Sequence, residues 1–265
     1  MKLLAVAAAA VALASPASFL QGRQGADGGF AEPGATATFG LTAWAAIGLA
    51  AVGASTGKAH DYLVAHEAAL ASATDVELAV VAEAVTGGAS SALLSRLRAL
   101  VQPSGRIGPA LNSTIWGILA LRQAGGAAPT TSVRYLIAHQ SRSGGFAWVE
   151  GGAPDSNTTA AAVEALGPGP AATRALAYVR RLQGKDGGFA LSAGRSSDAQ
   201  STAWAIQAFL AAGRNAPPGA TAYLARLKRP DGSYRYSSAY VTTPVWVTAQ
   251  ALAALAGKPL PLSTG

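Results

Sequence analysis

The chain has 265 residues, half of them hydrophobic, 12% charged, with a formal charge of +7. High hydrophobicity with few charges excludes an intrinsically disordered chain. The absence of cysteine excludes a disulfide scaffold, a thiolate zinc site, a thiol nucleophile and a cysteine-derived thioester.

From the N-terminus, Met1-Lys2 is a short positive start, residues 3–14 form an apolar run, and Ala12-Leu13-Ala14 fits the small-x-small rule for signal cleavage. Residues 1–14 are therefore expected to be a signal peptide, and 15–265 a single exported domain. The run is short for a bilayer span, which needs about 20 residues. Cleavage would expose Ser15-Pro16, a favoured N-cap followed by a favoured first helical residue.

Twelve helical segments are predicted. Six are more charged and lie near 15–23, 58–72, 91–102, 130–140, 171–183 and 219–229. Six are nearly uncharged and alternate with them, near 38–54, 75–88, 112–125, 156–168, 197–213 and 240–257. Residues 33–57 and 236–257 carry no charge, but their Ala, Gly, Thr and Ser content fits the repeat better than a membrane span. A helix that is apolar nearly all round must be buried. Strict alternation of buried and half-exposed helices implies an inner ring of six within an outer ring of six. Arg96, Arg98, Arg134, Arg174, Arg180, Arg181, Arg226 and Lys228 fall on the outer set and account for the basic charge as an outer surface. No nucleic-acid motif is present, and no nucleic-acid partner is expected. Contact with a membrane surface is compatible with the charge.

The joints between helices repeat. Gln24-Gly25-Ala26-Asp27-Gly28-Gly29-Phe30 returns as Gln140–Phe146, Gln183–Phe189 and Lys228–Tyr234, with a weaker copy at Gln102–Ile107. A degenerate repeat is expected near 59–85. Asp-Gly-Gly is turn chemistry, because Gly accepts positive φ and Asp bonds neighbouring backbone. Repeats with Gln-x-x-Asp-Gly-Gly-Phe between paired helices resemble the α/α-toroid superfamily of squalene and oxidosqualene cyclases, class II diterpene cyclases and protein prenyltransferase β-subunits. Cobalamin carriers share that fold. The resemblance covers essentially the whole chain after residue 14 and implies an all-α, α/α toroid of six helical hairpins.

The resemblance also allows the family chemistry to be checked. Prenyltransferases hold zinc with a Cys, so that site is not expected here, and no metal or cofactor is implied. Class II cyclases carry Asp-x-Asp-Asp-Thr-Ala, whose middle Asp protonates the substrate. The matching stretch is Asp155-Ser156-Asn157-Thr158-Thr159-Ala160, with Asn157 in the acid's place. An amide is no general acid near neutral pH.

The inner helices align on Thr42, Leu78, Thr114, Thr159, Thr202 and Thr248. At 100° per residue, positions −2, +2 and +5 from that residue share a face, opposite positions 0, +4 and +7. The shared face carries Trp44, Trp116, Trp204 and Trp246, the amides Asn112, Asn157, Gln200, Gln207 and Gln250, and the carboxylates Glu83 and Glu164. Aromatic walls with a few polar groups suit a ligand cavity, and these residues are the expected binding set. The expected ligand is a hydrophobic or isoprenoid-like small molecule. Candidate acids for a divergent cyclase are Asp155, Glu164 and Glu83; Asp155 and Asp198 also fit helix N-caps. His60, His66 and His139 fall on outer helices and make no metal pair. Three functions stay open on sequence: a secreted binding protein, a divergent class II cyclase or isomerase, and a scaffold with a plugged ring.

Overall fold

The computed structural model describes residues 14–262. The expected signal segment, Ala14 apart, lies outside the described residues. Among the described residues, twelve α-helices alternate between two layers. The inner layer is α2 (Phe39–Ala51), α4 (Ala73–Thr86), α6 (Leu111–Gln123), α8 (Ser156–Leu166), α10 (Ala199–Ala211) and α12 (Pro244–Leu255). The outer layer is α1 (Pro16–Gln21), α3 (Ala59–His66), α5 (Ser91–Ala99), α7 (Thr130–Ala138), α9 (Pro170–Arg180) and α11 (Ala220–Leu227). Each inner helix packs on the next, and α12 packs back on α2 to close the ring. The two layers bury differently. In α6 every residue from Leu111 to Leu121 is buried, whereas α9 buries one stripe: Ala171, Ala172, Ala175, Leu176 and Val179. The one ladder among the described residues joins β1 (Phe146–Ala147) to β2 (Pro154–Asp155). No helix among them is long and apolar enough to cross a membrane.

The repeated turn has a mechanical role. Gln24 Nε2 donates to Gly28 O within its own turn and to Thr56 O ahead of the next outer helix, and Gln183 makes the same pair to Gly187 O and Pro218 O. Asp27 accepts from Gly29 N–H and Asp186 from Gly188 N–H. Gly28 sits at φ 91°, and a Cβ there would lie 2.3 Å from Lys58 O, so both conformation and space require glycine. The aromatic that ends the turn is buried, and its N–H donates to the aligned threonine: Phe30 to Thr42, Phe146 to Thr159, Phe189 to Thr202 and Tyr234 to Thr248, each at 2.9 Å. The threonine alignment thus marks where each turn is bonded to its inner helix. The degenerate repeat lacks the turn altogether. A 3-10 turn, Glu67–Ala69, follows α3, and Arg96 holds it by donating to Glu67 O and Leu70 O.

Three contacts close the ring. Gly232 of the last turn lies against Ser15, where a Cβ would come within 2.6 Å of Ser15 O. Gly48 of α2 lies against α12, where a Cβ would come within 2.5 Å of Ala249 O. Thr243, before α12, has φ 42° and makes no side-chain cap. Glu32, from the loop before α2, replaces it and accepts from Val245 N–H and Trp246 N–H at 3.0 Å each.

At the opposite end of the ring the C-terminal segment crosses from α12 towards α6. Leu260 N–H donates to Glu164 of α8 at 2.6 Å. Leu262 N–H donates to Gln123 Oε1 at 2.6 Å, and Gln123 Nε2 returns a bond to Leu262 O at 3.0 Å. Leu260 and Leu262 are buried.

Candidate ligand-binding cavity

The N-terminal ends of the inner helices surround a cavity of about 530 Å³. Its walls include all five tryptophans of the chain: Trp44, Trp116, Trp148, Trp204 and Trp246. Trp44, Trp116 and Trp204 form the floor, with ring centroids 5.6–5.9 Å apart and planes 86–88° to one another. Edge-to-face pairs satisfy the ring quadrupoles, so three indoles close the ring centre without sealing the mouth. Trp246 stacks on Trp44 at 6.3 Å and is 37% exposed; Trp148 stands on the rim, 57% exposed.

The cavity is layered by helical register. The floor residues occupy position +2. Asn112, Asn157 and Gln200 occupy position −2, about 6 Å nearer the mouth at 1.5 Å per residue. Gln250 reaches the cavity from the floor level of α12. Leu78, Leu191 and Ala161 add apolar wall, and Asp75 and Asp155 add carboxylates.

Loops hold the mouth in shape. Trp148 O accepts from Asn112 N–H, Leu191 O from Ser156 N–H and Tyr236 O from Ala199 N–H, so each loop covers the start of the preceding inner helix. Tyr178 and Tyr223, from outer helices, donate to Pro154 O and Ser197 O in those loops.

Asp155 caps α8: one oxygen accepts from Thr158 N–H at 2.8 Å and the other from Thr158 Oγ1 at 2.7 Å. Asp198 caps α10 in the same way through Ser201 and is buried, which raises its carboxyl above the ordinary range. Asn157 lines the cavity and accepts from Ser156 Oγ at 3.0 Å.

Gln207, Glu83 and Glu164 do not line the cavity. They occupy position +5, three residues below the floor, or about 4.5 Å deeper. Helical phase gives a direction and no depth, and the tryptophan floor separates that level from the mouth. Glu164 is buried against the C-terminal segment, and burial, offset in part by the Leu260 N–H, pushes its carboxyl up to about 8. Glu83 is pushed up to about 7, first by burial and then by the neighbouring Glu67 carboxylate. Ser90 joins the two, donating its hydroxyl to Glu67 and its N–H to Glu83. Glu77, absent from the sequence-derived set, is fully buried on α4 with neither oxygen bonded, and burial holds its carboxyl well above the ordinary range.

Sequence periodicity also missed Trp148, which sits in a loop with no helical phase. Its signal was compositional: the one remaining tryptophan lay just before the helix that carries Asn157. A second, larger hollow of about 870 Å³ lies at the far end of the ring, lined by residues 50–56, Val85, Ala256, Lys258 and Leu262. Its walls are mostly small side chains, and it offers far fewer groups for recognition.

A closed double ring with a cavity at the inner-helix N-termini defines an α/α-toroid fold. Among solved structures, the chain is similar to a variant of the type II terpene cyclase MstE from Scytonema bound to geranylgeranyl dihydroxybenzoate, with TM-score 0.68 and 15% identity over 91% of this chain and 95% of that one. It is similar to ent-copalyl diphosphate synthase from Streptomyces platensis, with TM-score 0.61 and 22% identity over 83% of this chain and 50% of that one. A glycosidase variant in complex with glucose has TM-score 0.66 and 15% identity over 91% and 94% of the two chains. No protein-family model matches the sequence, and no curated protein matches it.

Proposed function

We propose that this toroid binds a small molecule with a large apolar part, isoprenoid-like in chemistry, and does not perform class II cyclisation. One observation carries the reading: five tryptophans line a single cavity together with Asn157, which stands where the family resemblance would put the initiating acid. Indole faces supply apolar area and a few amides supply orientation, which is the composition of a ligand pocket. Cyclisation needs a carboxylic acid facing the alkene. Asp155 is the nearest carboxyl in sequence to that position, and Thr158 occupies both its oxygens. The carboxyls that burial raises, Glu77, Glu83, Glu164 and Asp198, lie outside the cavity walls. Residues 1–14 read as an export signal, which puts the bound molecule outside the cytoplasm, in a single toroid domain over 15–265.

The neighbouring MstE structure holds a geranylgeranyl compound, which supports an isoprenoid-like ligand for the same fold. The experiment is twofold. Native mass spectrometry of the protein purified from its own host is expected to show a co-purifying organic molecule. Incubation with squalene or geranylgeranyl diphosphate is expected to leave both unchanged, since a missing general acid alone costs about 10²–10⁴-fold. Cyclised product from the unmodified protein, abolished by Asp155→Asn, would overturn the reading. N-terminal sequencing of exported protein is expected to begin at Ser15.

A further inference from the structure

We infer that the ligand of this cavity is an uncharged, oxygenated molecule, a terpenoid carrying hydroxyls at separate points, and that diphosphates are rejected. The inference rests on the binding function proposed above and adds what the polar part of the ligand must be. Asn112 and Gln250 both line the cavity, and each is only 3% exposed. Asn112 Nδ2 and Gln250 Oε1 are buried and have no hydrogen-bond partner. An unpaired buried amide atom is costly, so two of them among the lining residues mark places where a ligand completes the bonding. Asn112 is on α6 and Gln250 on α12, the third and sixth of six inner helices, so they face each other across the ring. Each amide is therefore assigned its own polar group on the ligand. A hydroxyl both donates and accepts, and therefore suits an amide in either orientation.

The charge of the ligand follows from how the inner helices begin. Helix N-termini crowd the mouth, and free N–H groups there would attract an anion. In this chain each of these starts already has at least one N–H engaged. Carboxylates of Glu32, Asp75, Asp155 and Asp198 hold the starts of α12, α4, α8 and α10. Thr38 caps α2, and Trp148 O accepts from Asn112 N–H at the start of α6. No Lys, Arg or His lines the cavity, while Asp75 and Asp155 do. A diphosphate would meet no cation, would find the helix starts partly occupied, and would lie beside two carboxylates.

The test is a fluorescence titration. All five tryptophans line the cavity, so intrinsic emission reports on this site. The probes are sclareol (a bicyclic diterpene diol), the corresponding labdane hydrocarbon, geranylgeranyl diphosphate and glucose. Sclareol is expected to bind about tenfold or more tightly than the hydrocarbon, the scale of one or two recovered hydrogen bonds. The diphosphate is expected to bind weakest of the three terpenoids. Asn112→Leu and Gln250→Met are each expected to shrink the ratio of diol to hydrocarbon affinity. Equal binding of diol and hydrocarbon, or tighter binding of the diphosphate, overturns the inference and leaves the apolar-binding function standing. Binding of glucose with no response to any terpenoid overturns both. Should either variant fail to fold, as judged by circular dichroism, the order of the probes on the unmodified protein decides alone.

Discussion

Glu164→Gln tests the account of the closed end of the ring. Burial raises the Glu164 carboxyl from 4.5 to about 8, so the folded protein keeps this proton at neutral pH while the unfolded chain releases it. A raised acid costs nothing below the unfolded value. Between pH 4.5 and about 8 the folded state binds one more proton than the unfolded state. Stability therefore falls by about 1.4 kcal/mol per pH unit across that window, about 5 kcal/mol in all. Above pH 8 the loss levels off. Glutamine keeps an oxygen to accept from Leu260 N–H but has no proton to lose. The assay is urea denaturation of both proteins from pH 4 to pH 9, taking the difference so that every other titrating group cancels. The two are expected to be close in stability near pH 4, with the variant increasingly the more stable towards pH 8. A difference that stays flat with pH would refute the burial of Glu164 beneath the C-terminal segment.

Two further predictions concern the ring itself. Gly48→Ala pushes a methyl onto rigid backbone of α12 and is expected to cost about 1–3 kcal/mol. Gly40→Ala, in the same helix with nothing within 4 Å of the new Cβ, is expected to be neutral or stabilising by up to about 1 kcal/mol, because alanine favours helix; the thermal midpoint should fall for Gly48→Ala and hold or rise for Gly40→Ala. Thr159→Val leaves the buried Phe146 N–H without its partner and is expected to cost about 1–3 kcal/mol, with faster hydrogen exchange at Phe146.

The fold was written into the sequence twice, as alternating charge between helices and as repeated turns, and both signals are local. The inner helices were placed within a few residues, overrunning where Ala-rich or Thr-rich loops imitate helix. The segment predicted over 240–257 begins instead at Pro244, because proline is excluded from a helix interior and Thr243 before it has a left-handed φ of 42°. The predicted helix over 58–72 stops at His66 and finishes as a 3-10 turn. Helical phase brought together Trp44, Trp116, Trp204, Asn112, Asn157 and Gln200, since direction around a helix is a property of spacing alone. Contacts between distant parts of the chain left no such mark. Glu32 bonds the start of α12 from 213 residues away, and the Leu260–Leu262 segment meets Glu164 and Gln123 only after the ring has formed. Nothing local distinguishes these from ordinary loop residues.

Closure of the ring has a consequence for how the molecule comes apart. A linear array of helical hairpins has two end units, each covered on one side only, and it frays from them. Here the first and last hairpins cover each other through Gly48 against Ala249 and Glu32 against α12. No hairpin is an end unit, so none can peel away without breaking two seams at once. Denaturation should therefore be a single sharp transition despite the modular sequence. Opening the seam should turn it into a broad, stepwise one. The same geometry makes the starting hairpin arbitrary: a circular permutant whose chain begins at a different turn would meet the same neighbours on both sides.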